Sequence, residues 1–218
     1  MDRNSQITDK LNPSPLSSRR GFTLIEMAFV LVIVGILVSL GAQLLPMLVK
    51  QNKLKDDRAL VEQAKNALIG YALATGRLPF ASTNVNGSEI ANRLNGYLPW
   101  STIGVTGMDA YQKTLFYCVD SHLTAAGSVT KAVIGPLIAT PPPANQNLYS
   151  CLGAVRVAFV VISSGENRRV DSPNDKNNNG IIDPADLNTF ACPYASITSN
   201  YDDILQDESL SDLNFRAP

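Results

Sequence analysis

The stretch RRGFTLIEMAFVLVIVGILVSLGAQLL, residues 19–45, decides how the rest of the chain is read. From Phe22 to Val49 the only charged residue is Glu26, and the other polar residues are Thr23, Ser39 and Gln43. A helix needs about 20 apolar residues to cross the hydrocarbon of a bilayer, and this run is longer. A carboxylate at the centre of such a helix costs roughly 2.5–3.5 kcal/mol on translocon-type scales. Glu26 therefore needs a partner or a function.

A discarded secretory signal would have a shorter apolar segment followed by a small-residue cleavage site. Here the small residue, Gly21, precedes the apolar run. Arg3, Lys10, Arg19 and Arg20 lie before it and Lys50, Lys53, Lys55 and Arg58 after it, the latter offset by Asp56 and Asp57. Charge alone thus leaves orientation open. The chain has 218 residues, 45% hydrophobic and 17% charged, which describes a folded protein with a sizeable core. Its net charge is -1. The leader is net positive and the remainder mildly acidic, so nothing electrostatic calls for nucleic acid.

The segment RRGFTLIEMAFVLVIVGIL resembles the amino-terminal signal of type IV pilins and type II secretion pseudopilins: basic residues, Gly21, an aromatic at Phe22, then Thr-Leu-Ile-Glu. The resemblance implies that a prepilin peptidase cuts after Gly21 on the cytoplasmic face and that the new amine of Phe22 is methylated. It also orients the chain, leader inside and everything after about Lys50 outside. It implies that Glu26 of one subunit faces the positive amine of Phe22 on a neighbour. At ~4 Å and an effective dielectric near 20, that attraction is about 4 kcal/mol before desolvation is subtracted.

The organisation follows. Residues 1–21 form a leader, 22–49 the transmembrane half of a helix, and 50–75 its amphipathic outer half. Leu54, Leu60, Val61, Ala64, Leu68, Ile69 and Leu73 fall near helical spacing, with Lys53, Asp57, Arg58, Glu62 and Lys65 around them. Gly76 and Pro79 supply the stop. Gly35, Gly41 and Pro46 predict weak points or a bend in the first half. Residues 76–218 read as a globular α+β domain, with an antiparallel sheet and long loops packed on the outer half of the helix. TLFYCVD (114–120) and VRVAFVVISSG (155–165) read as strands and GSVTKAVIG (127–135) as a third; SEIANRLNG (88–96) reads as a short helix.

ATGRLPF, GYLPWSTIG, LFYCVD, VVISSGEN and YDDIL are similar to the pseudopilin ectodomain pattern, so the resemblance runs from Arg19 to Leu205. It departs at Tyr111-Gln112, where that family commonly has tryptophan-glycine, and in an asparagine-rich insert near residue 175.

That insert, DKNNNGIIDPAD (175–186), offers oxygens from Asp175, Asn177 and Asn179, a turn at Gly180, the Ile181 carbonyl, then Asp183 and Asp186. A hard cation wants such a cage, and the spacing is EF-hand-like, with Asp186 in place of the usual bidentate glutamate. It makes calcium the candidate cofactor, with affinity toward the weak extracellular range of about 10⁻⁴ to 10⁻³ M. Calcium-binding pseudopilins imply Asp202 and Asp203 as secondary candidates. A solvated Asn-rich turn is the competing reading.

Three cysteines, Cys118, Cys151 and Cys192, fall in the segment expected outside the cytoplasm, where disulfides persist. Cys118 with Cys151 is the favoured bridge, each adjoining a predicted strand, and a bridge from Cys192 to either remains open. No C-x-x-C pair or histidine cluster supports zinc or redox chemistry. The single histidine, His122, adjoins Asp120 and Ser121 in sequence, and adjacency does not assemble a triad. Trp100 reads as a core anchor.

The expectation is a non-enzymatic structural subunit, a pseudopilin or minor pilin. Its expected site is the bacterial inner membrane, single-pass, with its ectodomain in the periplasm or on a filament. Its implied partners are other pilin-like subunits, the prepilin peptidase, an inner-membrane assembly platform and membrane lipid. The alternative is a filament-displayed adhesin or substrate-binding tip module.

Overall fold

A computed structural model describes residues 21–83, 86–140, 148–150, 155–182, 186, 190–191, 195–198 and 201–218. The chain divides into two compact units, Met1–Met47 and Leu48–Pro218. The fold is α+β: one long helix, α1 (Leu24–Thr75), is followed by a five-stranded antiparallel sheet.

In the first unit the large apolar side chains of α1 are exposed. Among the described residues α1 is the one helix long and apolar enough to cross a membrane. Pro46 sits inside α1 without ending it.

In the second unit α1 buries a stripe of Val61, Ala64, Leu68 and Ala72, spaced three and four residues apart. The stripe also contains Asp57, at 0% exposure, which the sequence pattern placed on the polar face. Leu73, expected in the stripe, is 40% exposed. The helix stops at Thr75 because Gly76 takes φ +72 while its amide donates to the Ala72 carbonyl.

The sheet is built from β1 (Asn95–Tyr97), β2 (Phe116–Val119), β3 (Tyr149–Ser150), β4 (Val155–Ser163) and β5 (Ile204–Ser209). β4 is its spine and pairs antiparallel with β2, β3 and β5. Residues 157–163 are all buried because both faces of the sheet are covered. A bulge between Val157 and Phe159 lets Ala158 and Phe159 both join the α1 side, while Val157, Val160 and Ile162 join the other. On the α1 side lie α2 (Trp100–Ile103) and buried residues of α3 (Lys131–Ala139) and α4 (Leu210–Arg216). On the other lie Leu148, Val170, Ile182 and Phe190 from the long loops.

Two expected elements are corrected. Residues 131–135 of the expected third strand (127–135) belong to helix α3 instead, because Val133, Ile134, Leu137 and Ile138 repeat with helical rather than alternating spacing, and Ile134 is the fully buried one. The expected helix at 88–96 is instead a bridge at Glu89, a turn at 91–92 and the first two residues of β1. Asn92 has φ +64, and the Glu89 side chain is drawn to Arg77 and to the Phe80 amide. β5 and α4 carried no expectation. The start of α4 has a legible signal: Ser209 accepts from the Asp212 amide at 3.0 Å and donates to its carboxylate at 2.8 Å, a capping box.

Candidate functional site

The N-terminal end of α1 is built by two side chains. The Thr23 hydroxyl accepts from the Glu26 amide at 3.2 Å, and Glu26 Oε2 accepts from the Thr23 amide at 2.9 Å and its hydroxyl at 3.1 Å. This reciprocal box satisfies two amide donors that a helix start otherwise leaves open. Phe22 is 75% exposed beside it. A Cβ added at Gly21 would meet nothing within 4 Å. Packing among the described residues therefore makes no demand for glycine there. The carboxylate expected to meet a neighbour's amine is thus held at the helix start, three residues after Thr23 and four after Phe22.

In the 175–186 loop the side chains fold onto the loop's own backbone. Asp175 accepts from the Asn179 amide at 3.2 Å and the Gly180 amide at 2.6 Å. Asn177 accepts from the Asn179 amide, Asn179 from the Ile181 amide at 2.9 Å, and Asp186 from the Lys176 amide at 2.9 Å. Asp175 and Asp186 are buried, Ile181 is exposed, and Asp183 lies outside the described residues.

Carboxylates converge elsewhere. Asp171, Asp202 and Asp203 bring ligand-type oxygens within 4.8 Å of one another. Asp203 is 2% exposed, and its Oδ2 accepts from the Asp171 amide and from Asn174. Its Oδ1, like Asp202 Oδ1, is buried without a hydrogen-bond partner. Burial pushes the Asp203 carboxyl up to about 8 and also raises Asp202. Gly165, at φ +61, lets the 202 backbone approach, and a Cβ there would overlap it. The donor set, oxygen-only with two orphaned buried oxygens, fits a hard divalent cation. Sequence reasoning named Asp202 and Asp203 and missed Asp171, which only the turn after β4 brings into place.

Cys118 is a free thiol, 1% exposed, packed with Phe116, Val160 and Leu205. Burial raises its pKa strongly. The expected bridge is corrected on this side: Cys118 is a core side chain of β2, and Cys151 and Cys192 lie outside the described residues. His122 is held by the capping residue Asp120. Its amide and its Nδ1 lie 2.9 and 2.8 Å from Asp120 Oδ1, which holds a short turn after β2. Trp100 packs against the main core and fills the space over Gly87 and Gly107, where an added Cβ would overlap its ring.

An apolar helix long enough to cross a membrane, with a capped glutamate at its start, is consistent with a single-pass membrane anchor. Residues 16–42 match the family model described as the prokaryotic N-terminal methylation motif. The chain thus carries, at residues 16–42, the prepilin-type signal of type IV pilin-like proteins. No curated protein and no solved structure matches the chain.

Proposed function

We propose that the chain is a pseudopilin or minor pilin of a type II secretion-like filament, extracted from the inner membrane after its leader, residues 1–21, is removed. Residues 22–49 anchor the subunit and then bundle into the filament core, while residues 76–218 face outward as surface and subunit contacts. The carrying observation is the methylation motif at residues 16–42 laid over a helix whose only charge before Lys50 is Glu26. Cross-linking of membrane-inserted subunits tests it: wild type assembles with other pilin-like subunits, and Glu26→Ala inserts but does not. Normal assembly by Glu26→Ala would overturn the reading.

Within this reading the ectodomain holds calcium. The oxygen set of Asp171, Asp202 and Asp203 supports this more directly than the 175–186 loop, whose carboxylates already serve backbone amides. Calcium titration of the full chain followed by thermal melting checks it. A melting temperature that rises with calcium in wild type and not in Asp203→Asn supports the site, and equal rises in both remove it.

A further inference from the structure

Asp57 is a carboxylate at a position of the α1 stripe where an apolar side chain would pack. Its Oδ2 lies 2.6 Å from Ser163 Oγ, at the end of β4, and its Oδ1 accepts from the Ala110 amide at 3.3 Å. Asp109, 5% exposed, places its own Oδ2 3.1 Å from the same hydroxyl, while its Oδ1 accepts from the Tyr111 and Lys113 amides, each at 2.8 Å. Ser163 Oγ also accepts from the Gly165 amide at 3.2 Å. Among the described residues neither carboxylate is in an ion pair.

A hydroxyl has one proton to give. It can satisfy one of the two carboxylates, so the second contact requires a proton on a carboxyl group. Asp109 Oδ1 already accepts from two amides at 2.8 Å, whereas Asp57 accepts from one at 3.3 Å, so the proton is placed on Asp57. The arrangement that uses every group is Asp57 O–H to Ser163 Oγ, and Ser163 O–H to Asp109 Oδ2. We infer that this one proton, held on Asp57, latches the outer half of α1 to the end of β4, and that the latch weakens when the proton is lost to solvent. Ionisation leaves two buried carboxylates facing one hydroxyl, a like-charge arrangement with an unsatisfied acceptor.

The surrounding charges act in the same sense. Burial raises Asp57, and Asp109 and Asp202 both oppose its ionisation. The lysines one and two turns before Asp57 on α1 are engaged: Lys53 lies over the Tyr111 ring, and Lys50 pairs with Glu166 at 2.6 Å. A group whose folded pKa is raised contributes stability that is full in acid and lost as pH rises through the folded value. The latch is therefore a pH-sensitive fastening between the helix that assembles and the domain it carries, independent of the cation reading.

The test is urea unfolding of the full chain in detergent micelles without calcium, across pH, followed by the fluorescence of Trp100, the single tryptophan. Trp100 packs on the core that contains Val61, Ala64 and Leu68 of α1. Asp57→Asn keeps a donor toward Ser163 without a titrating proton. Its midpoint is expected to rise relative to wild type as pH rises, and a gap that stays constant with pH would overturn the latch. Asp203 titrates in both proteins and cancels in the comparison. If Asp57→Asn does not fold, Asp109→Asn gives the same reading: a gap that widens with pH supports the latch, and a constant gap contradicts it.

Discussion

Thr23 and Glu26 cap the start of α1 reciprocally, amide to carboxylate and amide to hydroxyl. The carboxylate is thereby placed at the helix start before any neighbour is present. In the proposed filament a neighbour's Phe22 amine would meet a charge already positioned, which would lower the ordering cost of pairing.

Glu26→Ala is therefore expected to leave membrane insertion intact and to lower filament yield by about tenfold or more, as loss of over 1.4 kcal/mol at each contact implies. Yield of cross-linked oligomers per inserted subunit is the measurement. Thr23→Ala removes the cap, at about 1 kcal/mol, and should give a smaller loss.

Arg77 and Glu89 form a two-pronged ion pair at 2.5 and 2.8 Å, and Glu89 also accepts from the Phe80 amide. The Arg77 side chain holds the Glu89 carboxyl below its usual range. Its contribution is present above the unfolded value and is lost as pH falls through the folded one. Glu89→Gln should cost about 1 kcal/mol near neutrality and flatten the acid limb of a urea-midpoint profile.

Gly107→Ala sets a methyl group against the Trp100 ring. A destabilisation of about 1–3 kcal/mol is expected from such overpacking, seen as a lower midpoint and an altered Trp100 emission. An unchanged midpoint would show that the ring moves aside freely.

Gln112 takes φ +64, a left-handed conformation that costs a residue with a Cβ about 1–2 kcal/mol. Gln112→Gly should stabilise the domain by about 1 kcal/mol, once glycine's greater unfolded-state freedom is subtracted. Equilibrium denaturation checks the sign.

The Asp203 carboxyl, pushed up to about 8 by burial, holds its proton in the folded, calcium-free domain. Stability from this group falls as pH rises through about 8. At the proposed calcium site the cation would compete with that proton, so its affinity should increase over the same interval, measured by titration at stepped pH. Asp203→Asn should lose both dependences.

The helix, its stop at Gly76 and the strands around Cys118 and Val160 were legible because each follows a local rule of periodicity or turn chemistry. α3 was misread because Val and Ile suit strands as well as buried helix faces, and only Ile134's place in the core decides. Asp57 was invisible as a buried group because a charge in a helical stripe reads as surface. Its partners, Asp109 and Ser163, are distant in sequence. The same distance hid Asp171 from Asp202 and Asp203. The methylation motif at residues 16–42 was legible because it is one contiguous run of residues.

The intact mass of the full-length protein, purified from membranes made with and without a prepilin peptidase, tests the central claim most directly. The expected result is a chain beginning at Phe22 and carrying one added methyl group, found only when the peptidase is present. A chain still beginning at Met1 under both conditions would contradict the filament reading.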